Sequence, residues 1–252
     1  MNALAPLACA ALLLAGQAAA QPASERRFQV SGFDGVDLAG CDHAIVIPGR
    51  AFGITVRGTQ RSLSATQIER RGTTLRIRPL HDRCSSAHGP ASAATITITM
   101  PVVRRLTVSG ASSIEARDVS GRKLVATASG AGSLELPALR VEEAQLSLSG
   151  GGQATVSGAR VDRLALHVSG GGSTAADGTT RALAIGADGA ARVDTRKLVA
   201  PIVSISARGA SVVQASASGP AAINARGASS VSVGGHPACT IDAQRPAKVT
   251  CG

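Results

Sequence analysis

The chain is predicted to be all-β, a parallel β-helix (β-solenoid) with coils of about 20 residues and a less regular β N-terminal third. Three observations predict it. A small corner recurs at Gly110, Gly130, Gly150, Gly170, Gly189, Gly209 and Gly227, at steps of 20, 20, 20, 19, 20 and 18 residues. The residues before each corner alternate apolar and polar with period two. Glycine interrupts every repeat, so no stretch from 106 to 252 sustains a helical stripe.

Each coil follows from its corner. Four residues before the glycine stand Leu106, Ala126, Leu146, Leu166, Ile185, Ile205 and Ile223, and two before it Val108, Ala128, Leu148, Val168, Ala187, Ala207 and Ala225. The residues between are mostly polar or small, so the two columns point inward on one strand. The glycine supplies the positive φ or close backbone approach of a tight turn. A second short strand follows, with Ile114, Leu134, Ala154, Thr174, Val193, Val213 and Val231 inward. A third apolar contact follows, as in Val119 and Leu124, Leu139 and Val141, or Val161 and Leu164. Stacked coils lie about 4.8 Å apart, and inward residues this small leave a thin interior without a ligand cavity. Parallel crossovers default to the right hand.

Residues 28–105 read as longer, irregular units of the same domain, 28–252. Candidate strands are Val36–Leu38, Ala44–Ile47, Gly53–Arg57, Thr66–Arg70, Thr74–Arg78 and Ala94–Met100, with a turn at Arg71-Gly72. This third is expected to continue into the solenoid and cap its first coil. Arg70, Arg71, Arg76 and Arg78 form the most concentrated basic stretch, a candidate contact face for an anionic partner.

The order Phe33-Asp34-Gly35-Val36, Ala44-Ile45-Val46-Ile47-Pro48-Gly49, Gly53-Ile54-Thr55-Val56, Leu75-Arg76-Ile77 and Ile96-Thr97-Ile98-Thr99-Met100-Pro101, followed by serial Ser-Gly-Ala or Ser-Gly-Gly coils, resembles the head GIN domain family. That family is described as a "putative auto-transporter adhesin" domain of unknown function. The resemblance covers nearly all of 28–252 and implies an exported β-helical protein without established catalysis. It brings no functional residues with it. The chain departs from its own earlier repeats where Arg208 and Arg226 stand in place of serine and Arg245-Pro246 replaces the last corner glycine.

Met1–Ala20 carries no charge, has an apolar run from Leu7 too short to span a membrane, and ends in Ala18-Ala19-Ala20. It reads as a secretory signal peptide, although its start lacks Lys or Arg. Residues 21–27 are expected to be a disordered linker. The mature protein is then periplasmic, outer-membrane associated or extracellular, with no transmembrane segment. Its 26 basic and 16 acidic residues give +10, slightly denser in the N-terminal third. Such a charge suits solubility, and it suits anionic glycans, lipopolysaccharide or other envelope surfaces. Nucleic acid does not fit, because Phe28, Phe33 and Phe52 are the sole aromatic residues.

Four cysteines remain after cleavage, and export with sequence proximity favours Cys41–Cys84 and Cys239–Cys251 as disulfides. Cys41 and His43 with His81, Cys84 and His88 also have metal-ligand character, so a metal-handling envelope protein stays as an alternative. The column Ser109, Ser129, Ser149, Ser169 lacks a nucleophile elbow and reads as hydroxyls bonding along the corner. A carbohydrate-active β-helix enzyme is the second alternative. Glu115 and Glu135 hold the same place in successive coils, but nothing nearby completes a mechanism. The expected function is therefore a non-enzymatic, adhesin-like binding or scaffold protein that uses no cofactor.

Overall fold

The computed structural model describes residues 24–80, 84 and 93–252. The expected signal peptide, His81 and His88 lie outside the described residues. In the N-terminal third the elements are β1 (Ser24–Phe28), β2 (Gly35–Gly40), β3 (His43–Pro48), β4 (Gly53–Gly58), the short helix α1 (Gln60–Ser64), β5 (Thr66–Arg71), β6 (Thr74–Pro79) and β7 (Thr95–Met100). The first regular coils comprise β8 (Arg105–Gly110), β9 (Ser113–Ala116), β10 (Ser120–Gly130), β11 (Ser133–Pro137), β12 (Arg140–Gly150), β13 (Gln153–Gly170) and β14 (Ser173–Gly189). They continue through β15 (Arg192–Val199), β16 (Ile202–Ala207), β17 (Val212–Ala217), β18 (Pro220–Ala225), β19 (Ser230–Gly235), β20 (Ala238–Ala243) and β21 (Lys248–Cys251).

The regular part is a β-solenoid. Strands that end at the corner glycines stack in parallel as one face: β2, β8, β10, β12, β13, β14, β16, β18 and β20. Strands that follow the corners make the second face, from β3 through β9 and β11 to β19 and β21. A third, shorter face forms where β10, β12, β13 and β14 bend around a further corner. The inward columns are buried, Leu106, Leu146, Leu166 and Ile205 among them. All seven corner glycines have positive φ, from 71° at Gly227 to 100° at Gly150.

The N-terminal third does not wind in sequence order. β2 and β3 form the first coil in the chain, yet they lie second in the stack. β6 and β7 pair in parallel with one side of that coil, and β8 and β9 with the other. The stack then ends in antiparallel strands: β5 on β6, and β4 followed by β1 on β7. Helix α1, started by Thr59, whose side chain accepts from the Ser62 amide, places Leu63 in the core. Antiparallel edges and a helix over the core end prevent further parallel stacking at this terminus. Within the stretch 21–27, expected to be a linker, the described residues form strand instead. From Ser24 they belong to β1, where Glu25 bonds both Arg27 and Arg57 at 2.9 Å and so ties the strand to β4.

Two disulfides staple the fold. Cys41–Cys84 (Cα–Cα 5.5 Å) ties the β2–β3 corner to the segment after β6. Cys239–Cys251 (Cα–Cα 6.6 Å) joins the two faces of the last coil. Cys239 continues the inward column of Val203 and Ala221, and Cys251 that of Ala215 and Val233, so the bridge crosses the end of the core. The 12-residue separation corresponds to about 3 kcal/mol of stabilisation in the chain-entropy account. The double variant Cys239→Ala/Cys251→Ala should therefore lose hydrogen-exchange protection over 238–252 while the coils around Gly150 keep theirs. Uniform loss along the whole solenoid would contradict this local role.

Candidate functional site

Of the four arginines, Arg71, Arg76 and Arg78 share one face of the β5–β6 pair and are largely neutralised there, whereas Arg70, the register partner of the inward Leu75, lies on the other face. Arg76 and Arg78 lie on β6 beside β2, and both donate to Asp37 Oδ2, at 3.2 and 3.0 Å. Arg71 pairs with Glu69 at 2.7 Å. Arg70 donates to the Gly72 carbonyl at 2.7 Å, which leaves its charge without a carboxylate among the described residues. Asp37 is the residue that sequence proximity hides, because it sits 39 positions before Arg76 and meets it only through the β2–β6 register.

The Cys/His group is divided. Cys41 and Cys84 are joined as a disulfide, so neither thiolate is free to ligate a metal. His43 bonds through Nδ1 to the Ser113 hydroxyl at 2.7 Å. Among the described residues no group of three metal-ligating side chains converges.

Glu115 and Glu135 are register partners on the second face. Arg117 donates two hydrogen bonds to Glu115, at 2.6 and 3.0 Å, and holds its carboxyl below the ordinary carboxylate value. A general acid needs the opposite shift. The pair's stabilisation is present above the unfolded pKa and is lost as pH falls through the lowered one. One corner serine acts structurally: the Ser169 hydroxyl donates to the Leu148 carbonyl at 3.4 Å in the preceding coil. Phe33 is buried and packs against Phe52, centroids 4.9 Å apart, so neither is a free stacking platform.

A concave feature lies at the corner between the third face and the first. It is a groove of about 700 Å³ with Arg104, Arg105, Arg122, Lys123 and Arg163 on its walls. Its carboxylates are Glu142 and Glu143, with Asp34 beside Arg104 at 3.5 Å. Lys123 donates to Glu143 at 2.8 Å, holding that carboxyl below its ordinary value, and Arg163 approaches the same group at 3.9 Å. Arg105 has no carboxylate partner among the described residues, and Arg122 reaches Glu142 only at 4.0 Å. A signal for this groove is present in the sequence. Arg104-Arg105 and Arg122-Lys123 are dibasic steps 18 residues apart, close to one coil, with Arg163 further along the same corner.

Among the described residues no helix is long and apolar enough to cross a membrane. Several solved structures share the fold. A protein from Parabacteroides distasonis named "Putative lipid binding protein" superposes with a TM-score of 0.75 at 15% identity, covering 91% of this chain and 94% of its own. A "putative adhesin" from the same organism gives 0.75 at 14% identity, with 92% and 98% covered. A "putative adhesin" from Parabacteroides merdae gives 0.76 at 12% identity, with 91% and 96% covered. No curated protein matches the chain. Residues 32–237 match the family described as "Putative auto-transporter adhesin, head GIN domain", and with the corner-glycine solenoid in place the chain belongs to that family.

Proposed function

We propose that the mature chain is an exported, non-enzymatic binding module of the cell envelope that attaches to anionic surfaces such as lipopolysaccharide or acidic glycans. The carrying observation is the concentration of cations around the N-terminal coils, where, among the described residues, Arg70 and Arg105 have no carboxylate partner and Arg122 reaches one only at 4.0 Å. The uncharged Met1–Ala20 segment supports export, to the periplasm, the outer membrane or the exterior. The adhesin and lipid-binding names of the similar structures point the same way. Exposed cations of this kind act by long-range attraction that salt screens within about 8–10 Å at physiological strength. The purified chain should be retained on immobilised lipopolysaccharide and on anionic vesicles at low salt and released as salt rises. The variant Arg70→Glu/Arg71→Glu should elute earlier. Failure of the parent chain to bind any anionic surface at low salt would overturn the reading.

A further inference from the structure

The basic groove does not end at Arg163. A second compartment of about 300 Å³ shares Glu143 and Arg163 with it and continues along the same corner. Its outward-facing walls are Gln145, Ala165, Ala182, Ala184, Ser204 and Ile202, the last 53% exposed. The two compartments make one trough parallel to the solenoid axis, cationic towards the N-terminal cap and apolar towards the C-terminus.

The coil pattern explains the trough. The third face begins at β10, while residues 101–104 of the preceding coil form no strand and reach β8 directly. The corner therefore drops by one strand beside Arg104 and Arg105. Gly121 lies in this step with φ 141° and nothing within 4 Å of the place a Cβ would take, so the trough is open there. Further along, the outward column reads Val125, Gln145, Ala165, Ala184 and Ser204 in successive coils. Small residues at the third and fourth of these places raise no wall. Beyond the cationic part, three coil steps from Gln145 to Ser204 span about 14 Å at the strand spacing, comparable to a medium-length fatty acyl chain.

We propose that this trough binds a single-chain lipid with a phosphate head, the head at Arg105 and Arg122 and the chain along Ala165, Ala184 and Ile202. Guanidinium groups match phosphate oxygens by paired, charge-assisted hydrogen bonds. Glu143 does not oppose this, because Lys123 and Arg163 already offset it. An acidic glycan fits less well: beyond Arg163 the walls are mostly apolar, Ala165, Ala182, Ala184 and Ile202, with Gln145 and Ser204 as the polar side chains and no aromatic ring. The inference rests on the envelope-binding reading and adds a ligand class and a site to it.

The test uses the full mature chain and fluorescent lysophosphatidic acid below its micelle concentration, with lysophosphatidylcholine and inorganic phosphate as competitors. Saturable binding is expected, with weak competition from either. Arg105→Glu/Arg122→Glu should weaken it at least tenfold, and Ala184→Asp should weaken it comparably. Arg208→Glu, at a different corner, should leave it unchanged. Thermal unfolding of each variant separates lost binding from lost fold. Undiminished binding by the folded trough variants, competition by the choline lipid as strong as by unlabelled lysophosphatidic acid, or full competition by phosphate alone would each overturn the proposal. Retention on anionic vesicles without binding of the monomeric lipid would sink the trough and leave the envelope reading standing. Absence of both would sink both.

Discussion

Gly150→Ala is expected to destabilise the solenoid by roughly 2–5 kcal/mol, while Gly151→Ala one residue later is nearly neutral. Gly150 has φ 100°, and a Cβ there would stand 2.6 Å from the Gly130 carbonyl oxygen and 3.1 Å from its nitrogen. Two costs combine: an L-residue in a left-handed conformation, and a methyl group forced against the backbone of the coil below. Neither can relax by a side-chain rotation, because the obstructing atoms are main chain. Gly151 has nothing within 4 Å of its Cβ position, and the equivalent places in other coils carry Ala111, Ala131, Ala190 and Ala210. Urea unfolding of the two variants measures the difference. Similar midpoints would show that the corner tolerates a Cβ and that the glycine column is not a packing requirement.

Leu38→Ala is expected to cost about 2–5 kcal/mol, the usual range for a fully buried leucine. Its distinguishing result is where the damage appears. Leu38 is completely buried and registers with Ile77 on one side and Val108 on the other. In a stacked array each coil is stabilised chiefly by its neighbours. Hydrogen exchange should therefore accelerate both in β6–β7 and in β8–β9. Ile223→Ala, between Ile205 and the half-exposed Ile241, should loosen only the C-terminal coils. If Leu38→Ala spared β6 and β7, the interleaved order of the N-terminal coils would be wrong.

That interleaved order marks the limit of what could be read beforehand. The strands of the N-terminal third were legible, because alternation such as Thr95-Ile96-Thr97-Ile98 is a local signal. Their stacking was not. Whether β8 follows β7 or returns to β2 depends on pairing between segments some 70 residues apart, and loop closure penalises such separations only weakly. The ion pairs follow the same rule. Arg76 and Arg78 look like a free basic face until the β2–β6 register brings Asp37 between them. The extension of β1 to Ser24 was missed for a similar reason, since Ser24-Glu25-Arg26-Arg27 is polar and becomes a strand only through pairing with β4.

The sequence by itself determined the solenoid, its coil length, its inward columns and its corner glycines, and it favoured the two cysteine pairs while leaving Cys41 and Cys84 open to a metal. All of these rest on a period repeated in the chain, or on residues close enough along it to have few alternatives. The tertiary structure alone decided the order of the first coils, the neutralisation of the arginine face and the trough at the third corner. These arise where the repeat is broken. There the neighbour of a residue is chosen by long-range strand pairing, and no local pattern specifies that choice.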